Sequence, residues 1–302
     1  MWHKYKNGNT TVFINDEDGT KIRRTEDDEF RAEFPESMDV NITQKCDGGC
    51  AFCYAGCTPE GKHADVMGAK FIDSLPESVE VALQVNDLSH PDLIPFLEKL
   101  KDKHVFPSIT VNQKHFEEKE DLIRKLADEK LIYGLGISLR SHTVDFVRRV
   151  LEYPNAVIHT INGVTTPEDY VALSYLGQGK LKILILGYKY KGRGIEYYER
   201  NKDEIEANQK WLSANLKWAL TDGYKLVSFD NLALEQLHVK DRLDPAVWER
   251  YYMGDEGTSS MYIDLVNEQF AVSSLETQMF PLRDDIREMF AVVQEVRKNG
   301  LS

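Results

Sequence analysis

A regular alternation of short apolar strands and helical segments limits the fold of this chain more than any other feature. After the first predicted strand, the strands begin every 24 to 27 residues, about the length of one strand–helix unit. The predicted strands cover residues 39–43, 79–85, 105–111, 132–139, 156–161 and 181–187. Strands connected through helices run parallel in one sheet. Six such units predict an α/β fold with a partial, TIM-like barrel, because a closed barrel needs eight.

The segments between these strands carry apolar residues at helical spacing. Three such sets are Met67/Phe71/Leu75, Leu93/Leu97/Leu100 and Leu122/Ile123/Leu126. A long helix is predicted over about residues 199–221. Residues 38–222 therefore form the predicted barrel core.

The two ends of the chain predict smaller units beside this core. In residues 1–37, the short runs 11–14 and 21–23 flank a turn-rich stretch, which predicts an N-terminal hairpin appendage. Residues 223–302 predict a C-terminal α+β extension that covers the barrel. Its predicted elements are a strand at 226–229, a helix near 245–251, a hairpin over 261–273 and a helix over 282–298.

Composition and charge narrow the classes of partner. The formal net charge is -13, and an acidic surface repels phosphate backbones, so we expect no binding to duplex nucleic acid. No apolar run reaches membrane-spanning length, so no membrane partner is expected. The first residues lack the apolar segment of a secretory signal, which predicts a cytoplasmic, reducing environment.

The cysteines form one tight group. All four lie between residues 46 and 57, directly after the first predicted strand of the barrel. Structural disulfides are usually spread along a chain to close loops, so this grouping predicts a metal site. The carboxyl ends of parallel strands are where active sites form, and Gly48 and Gly49 allow the loop to bend so that sulfurs converge.

The spacing of Cys46, Cys50 and Cys53 suits a four-iron cluster with three protein-bound irons and one open iron. The alternative is a structural zinc site with Cys57 as the fourth ligand, although zinc sites favour cysteine pairs from two separate segments. Three other roles are open for Cys57: it could donate a hydrogen atom to a substrate radical, act as a sacrificial ligand, or be a free loop thiol. The predicted metal ligands are therefore the first three cysteines, and Cys57 is a candidate catalytic residue.

Three residues separate Cys46 from Cys50, two separate Cys50 from Cys53, and an aromatic residue precedes the last cysteine. This arrangement resembles the signature of the radical S-adenosylmethionine superfamily, and the resemblance covers roughly residues 38–190. It implies a [4Fe-4S] cluster whose open iron binds S-adenosylmethionine. An electron from a donor such as flavodoxin or ferredoxin then breaks a C–S bond, and the resulting 5′-deoxyadenosyl radical abstracts a substrate hydrogen.

The same resemblance implies which residues hold S-adenosylmethionine. Phe52 matches the aromatic position that contacts the adenine. The family's Gly-Gly-Glu stretch after the second strand is absent, and Asn86 and Asp87 stand in its place, where they are predicted to contact the cofactor. Five further residues at later strand ends are predicted cofactor contacts: Asn112, Ser138, Arg140, Asn162 and Lys189.

The substrate class is open at this stage. Residues 261–274 resemble a hairpin but contain no cysteine, so one cluster is predicted. A peptide or protein substrate is the first hypothesis, because the extension offers strand edges for β-augmentation. A nucleoside or other small metabolite is the alternative. Two other function classes are a non-catalytic zinc or redox-sensing module and a degenerate member that binds S-adenosylmethionine without cleaving it.

Overall fold

A ten-stranded sheet and a separate three-stranded sheet form the framework of this computed structural model, which describes residues 1–17, 19–27 and 29–300. The three-stranded sheet is antiparallel and contains β1 (Trp2–Asn7), β2 (Thr10–Asn15) and β3 (Lys21–Arg24). The predicted N-terminal hairpin is confirmed as β2 and β3. Sequence reasoning missed β1, because His3, Lys4 and Lys6 leave it with little apolar character.

Seven parallel strands form the barrel part of the large sheet. They are β4 (Ser37–Asn41), β5 (Glu80–Asn86), β6 (Phe106–Asn112), β7 (Gly134–Ser138), β8 (Ala156–Ile161), β9 (Lys182–Leu186) and β10 (Leu226–Phe229). Each pairs with the next in sequence, so the strand order follows the chain order. The predicted partial barrel is confirmed, and the strand at 226–229 adds a seventh parallel member to it.

Six of the described helices connect the barrel strands from β5 to β10, and three more lie in the C-terminal segment. They are α1 (Leu93–Asp102), α2 (Gln113–Glu118), α3 (Glu120–Asp128), α4 (Val144–Val150), α5 (Pro167–Gly177), α6 (Arg193–Trp218), α7 (Asn231–Gln236), α8 (Pro245–Tyr251) and α9 (Ile286–Lys298). On β5, Val81, Leu83 and Val85 are buried, while the alternate Ala82 and Gln84 are only half-buried. This alternation packs one face of the strand against helices and turns the other towards the barrel interior.

One predicted helix is wrong. The set Met67/Phe71/Leu75 lies in a loop with a single 3-10 turn at Lys70–Ser74, and Met67 is exposed. Gly68 within the set and Pro76 directly after it both disfavour a continuous α-helix. Phe71 and Leu75 are nevertheless buried, so their apolar spacing reflects packing against the sheet.

The C-terminal segment continues the large sheet beyond β4. Its strand β11 (Ser260–Asp264) runs parallel to β4, and β12 (Gln269–Ala271) and β13 (Phe280–Pro281) follow as antiparallel strands. The predicted hairpin is thus confirmed as β11 and β12. The side chain of Asn41 donates to Asp264 at 3.0 Å across the β4–β11 pair. The strand before the cysteines is therefore paired on both edges. The two predicted domain boundaries, at residues 37/38 and 222/223, stay predictions.

The N-terminal sheet lies at the amino ends of the barrel strands. Ile14, Asn15 and Asp16 line a cavity of about 170 Å³ together with residues that begin barrel strands, among them Gly134 and Lys182. The opposite, carboxyl end of the barrel carries the cysteines. Among the described helices, none combines the length and the apolar character needed to cross a membrane.

Candidate active site at the cysteine loop

Residues 46–57, called the cysteine loop here, lie beyond the carboxyl end of β4. Backbone hydrogen bonds close the base of this loop: Cys46 donates to the carbonyl of Thr58 at 2.8 Å, and Thr58 donates to that of Gln44 at 3.1 Å. Gly49 has a φ of +65°, a conformation that glycine adopts without strain. The loop is thus a fixed bend, as the sequence predicted.

The sulfurs of Cys46 and Cys50 each accept one hydrogen bond. The backbone N–H of Gly48 donates to Cys46 Sγ at 3.3 Å, and the side-chain amide of Asn112 donates to Cys50 Sγ at 3.3 Å. Burial raises the pKa of both thiols. Binding of iron therefore has to release their protons, as it does for cysteine ligands in general.

Cys53 and Cys57 form a hydrogen-bonded pair of thiols. The Cys57 thiol donates to the sulfur of Cys53, which lowers the pKa of Cys53 and raises that of Cys57. Cys57 is only 6% exposed, and the amide of Asn86 donates to its sulfur at 3.4 Å. The fourth cysteine therefore lies beside Cys53 and within electrostatic reach of Cys46.

The donor set fits a predicted [4Fe-4S] cluster. The sulfurs of Cys46, Cys50 and Cys53 are near enough to influence one another electrostatically, and each has its own hydrogen-bond donor. Donors of this kind stabilise thiolate ligands and tune iron–sulfur sites. In the described part of the chain, no group of three or more His, Cys, Asp or Glu side chains is arranged to hold a metal ion. A cluster distributes its cysteines over different irons, so it does not require that arrangement.

Two side chains of the first turn of α2 hold the loop through Asp47. Lys114 Nζ lies 2.8 Å from one carboxylate oxygen of Asp47, and His115 Nε2 lies 2.5 Å from the other. These hydrogen bonds lower the pKa of Asp47 to about 2. Sequence reasoning missed this contact, although the polar run directly after the third predicted strand was a signal for it.

Arg193, at the start of α6, holds the loop from the other side. Its backbone N–H donates to the carbonyl of Cys53 at 3.1 Å. Its guanidinium donates to the carbonyl of Cys50 through Nε and to that of Cys57 through Nη1, both at 3.1 Å. One residue therefore fixes the backbone of three cysteines. The predictions from sequence did not include Arg193 among the site residues.

Asn86 and Asp87, which stand in place of the family's Gly-Gly-Glu stretch, lie beside the cysteine loop. Asn86 has a φ of +53°, and its amide donates to the carbonyls of Thr43 at 2.8 Å and Lys45 at 3.2 Å. Asp87 is 7% exposed, and its carboxylate accepts hydrogen bonds from the backbone and hydroxyl of Ser89. Asn86 thus supports the base of the cysteine loop, and Asp87 stabilises the turn that follows β5. Their predicted contact with a cofactor stays a prediction.

Three predicted cofactor residues lie side by side at the ends of β6 and β7. Asn112 and Ser138 are register partners, and Arg140 follows two residues later. The side chain of Arg140 is exposed and has no hydrogen bond or ion pair with any described residue. Its charge nevertheless acts on Cys50, since it partly offsets the larger effect of burial on the pKa of that thiol. Arg140 is therefore a cation beside the loop that is available to an anionic ligand.

The other predicted cofactor residues have partners within the protein. The amide of Asn162 donates to Gln236 in α7 at 3.1 Å, while its carbonyl oxygen is buried without a partner among the described residues. Phe52 packs edge-to-face against Tyr197, with ring centroids 5.6 Å apart. Lys189 donates to Ser274, and its ammonium lies 4.1 Å from the ring centre of Tyr54.

Charged side chains accompany Lys189 on the inner face of the barrel. Asp39 lies on the face of β4 opposite to the buried Met38 and Val40, and it interacts electrostatically with Lys189. Burial, followed by repulsion from Asp39, raises the pKa of Glu256 to about 7. The barrel interior therefore contains a group of interacting charges in addition to the cysteine loop.

Comparison with known proteins shows a fold shared at low sequence identity. No protein-family model matches the chain, and no curated protein matches it. SuiB of Streptococcus suis bound to S-adenosylmethionine has a TM-score of 0.59 and 10% identity, over 93% of this chain and 84% of SuiB. SuiB bound to the precursor peptide SuiA gives 0.61 and 11%, over 96% and 87%. A third SuiB structure gives 0.60 and 11%, over 96% and 86%. The chain thus has the partial-barrel fold that its resemblance to the radical S-adenosylmethionine superfamily predicted.

Proposed function

We propose that this protein is a radical S-adenosylmethionine enzyme that modifies a peptide or protein substrate. One observation carries the proposal. Cys46, Cys50 and Cys53 lie on one fixed loop at the carboxyl end of a parallel strand, and each sulfur has its own hydrogen-bond donor. The fold supports it, because SuiB has the same fold and has been solved with S-adenosylmethionine bound.

In this proposal the three cysteines bind a [4Fe-4S] cluster. The cluster and S-adenosylmethionine, with one electron from a donor such as flavodoxin or ferredoxin, supply a radical that removes a hydrogen atom from the substrate. Arg140 pairs with the carboxylate of S-adenosylmethionine, because its guanidinium has no partner among the described residues. Asn86 keeps the loop in position through the carbonyls of Thr43 and Lys45.

A peptide substrate is favoured over a nucleoside or small metabolite for two reasons. SuiB has been solved with a precursor peptide, and this chain matches that structure over 96% of its length. In the C-terminal segment, the short strand β13 is also the outermost strand of the large sheet, and a peptide backbone can add to such an edge by hydrogen bonding. Incubation of the reconstituted enzyme with candidate peptides and candidate nucleosides, read by mass spectrometry, separates the two. A product formed only from a nucleoside would overturn the peptide assignment.

Anaerobic reconstitution tests the catalytic proposal. Protein treated with iron, sulfide and a reductant is expected to bind about four irons and four sulfides and to release 5′-deoxyadenosine from S-adenosylmethionine. Cys53→Ser is expected to lose the cluster. Cys57→Ser is the matched variant, since Cys57 is four positions away on the same loop, and it is expected to retain the cluster. Wild-type protein with a full cluster but no 5′-deoxyadenosine would contradict the proposal.

The same preparation separates the remaining alternatives. One zinc per chain, with no iron–sulfur absorbance after reconstitution, identifies a structural metal module. A full cluster that binds S-adenosylmethionine without turnover identifies a degenerate member of the superfamily. Either result would replace the proposed activity.

A further inference from the structure

We propose that the segment Gly192-Arg193-Gly194 at the start of α6 clamps the cysteine loop and raises the reduction potential of the cluster bound there. The inference rests on the proposed function, because it places the cluster on Cys46, Cys50 and Cys53. Arg193 is a positioning residue in this account, since it contacts the backbone of the loop. As a dinucleotide-binding motif the segment is incomplete, because it lacks the third glycine.

The hydrogen bonds of Arg193 explain why an arginine is needed. Its Nε and Nη1 donate to the carbonyls of Cys50 and Cys57, and its backbone N–H donates to that of Cys53. The planar guanidinium presents several donors in a fixed geometry, whereas a lysine ammonium is a compact charge on a flexible stem. Arg193 therefore holds two separated parts of the loop at once, and the loop keeps its bend before any iron binds.

The flanking glycines allow this close approach. A Cβ added to Gly192 would lie 2.4 Å from the carbonyl oxygen of Tyr54 and 3.0 Å from that of Cys53. Gly192 also has a φ of +56°. A Cβ added to Gly194 would lie 2.5 Å from the carbonyl oxygen of Lys189. Both added atoms would collide with backbone, which side-chain rotation cannot relieve. Any larger residue at Gly192 would therefore push α6 away from the loop.

The charge of Arg193 acts on the redox equilibrium. Within the described residues its guanidinium has no carboxylate partner, so its positive charge remains available to the neighbouring sulfurs. The amino end of α6, whose first part runs as far as a kink at Asn201, adds a partial positive charge at the same place. Reduction adds negative charge to the cluster, and a nearby cation stabilises the reduced form more than the oxidised form. Charge and hydrogen bonding near the sulfurs set such potentials.

Two substitutions separate the effect of the guanidinium hydrogen bonds from that of the charge. Arg193→Gln removes the charge and these hydrogen bonds, and Arg193→Lys keeps the charge but loses the paired donors of the guanidinium. Arg200→Gln is the matched control, because Arg200 lies on the same helix and pairs with the exposed Glu196. The midpoint potential is measured on reconstituted protein by a titration followed by electron paramagnetic resonance. Protease cleavage within residues 46–57 is measured on iron-free protein.

We expect Arg193→Gln to lower the midpoint potential of the cluster by about 59 mV. For a one-electron couple, this raises the ratio of oxidised to reduced cluster at the wild-type midpoint roughly tenfold. Arg193→Lys is expected to restore most of the potential. The loop of iron-free protein is expected to be cleaved several-fold faster in both variants, and Arg200→Gln is expected to match the wild type in both measurements. If Arg193→Gln binds no cluster, the inference is tested by protease cleavage of the iron-free loop and by the midpoint potential of Arg193→Lys.

An Arg193→Gln cluster with the wild-type potential, or equal loop cleavage in all variants, would overturn this inference alone. A wild-type protein that binds no four-iron cluster would overturn both this inference and the proposed function. A shifted potential in an enzyme that releases no 5′-deoxyadenosine would support the inference while it contradicts the proposed activity.

Discussion

The side-chain amide of Asn112 donates a hydrogen bond to the sulfur of Cys50 at 3.3 Å, although the two residues are 62 positions apart in sequence. The same side chain accepts a hydrogen bond from the backbone N–H of Lys114 and so caps α2. One residue at the end of β6 thus orders a helix through its oxygen and the cysteine loop through its nitrogen.

Substitution of Asn112 by serine separates these two roles. Serine is also a good helix N-cap, but its side chain is too short to keep the contact with Cys50. Since hydrogen bonds to cluster sulfurs raise the reduction potential, we expect Asn112→Ser to shift the midpoint to a more negative value. The melting temperature of the iron-free protein is expected to stay near that of the wild type. Asn112→Ala, which loses the cap as well, is expected to melt lower. Equal potentials in Asn112→Ser and wild type would show that the contact has no effect on the cluster.

Arg140 is expected to determine affinity for S-adenosylmethionine. A charge-assisted hydrogen bond contributes about 1.5–3 kcal/mol, so Arg140→Gln is expected to weaken binding roughly tenfold or more. Equilibrium dialysis on reconstituted protein measures this. Arg148→Gln is the control, because Arg148 is exposed on α4 and pairs with Asp145 and Glu152. Equal dissociation constants for all three proteins would remove Arg140 from the cofactor site.

Glu256 is expected to make stability depend on pH. Its folded-state pKa of about 7 lies above its ordinary value of 4.5, because burial and then Asp39 disfavour the charged carboxylate. The unfolded chain therefore loses this proton at lower pH than the folded one, and the free energy of unfolding falls as pH rises from about 4.5 to 7. Glu256→Gln is expected to raise the melting temperature by a few degrees at pH 8 and to have little effect at pH 4.

The control for this experiment is Glu249→Gln, since Glu249 is exposed on α8. It is expected to leave the melting temperature unchanged at both pH values. If Glu256→Gln and wild type show the same melting temperature at pH 8, the carboxyl of Glu256 is not held in an unfavourable environment.

Gly136 allows His159 to occupy the barrel interior. A Cβ at Gly136 would lie 2.4 Å from Cε1 and 2.5 Å from Nε2 of that ring. Overpacking of this kind typically costs about 1–3 kcal/mol, so Gly136→Ala is expected to lower the denaturant midpoint of unfolding. In a His159→Ala background, the same glycine substitution is expected to cost much less. Equal costs in both backgrounds would show that the two residues do not compete for space.

Strand positions and the cysteine loop were predictable because they depend on local patterns. Alternation of apolar residues and the spacing of the strand–helix units predicted six parallel strands to within a few residues, and the strand at 226–229 was predicted in place but not as a member of the barrel. The cysteines follow β4 as predicted, since Gly48 and Gly49 mark a bend. The set around Phe71 shows the limit of this reasoning, because apolar residues can share helical spacing and still pack from a loop.

Contacts between distant segments were not predictable from one sequence. Arg193 and Cys50 are 143 positions apart, and no local pattern connects them. The pairing of β11 with β4 depends in the same way on tertiary packing, since a hairpin pattern does not say which strand lies beside it. Sequence reasoning therefore named Asn86 and Asn112, which contact the cysteine loop, but it missed the hydrogen bonds that Arg193 donates to that loop.

The pairing of β4 with β11 also determines when, during synthesis of the chain, the sheet beside the cysteine loop can be completed. Asn41 precedes the cysteines by a few residues, and its partner Asp264 is 223 positions later. Because a chain is synthesised from its amino end, β4 leaves the ribosome long before β11, the strand that pairs with its second edge. The scaffold of the cysteine loop is therefore complete only after β11 has emerged, and under the proposed function we expect the cluster to be inserted after translation.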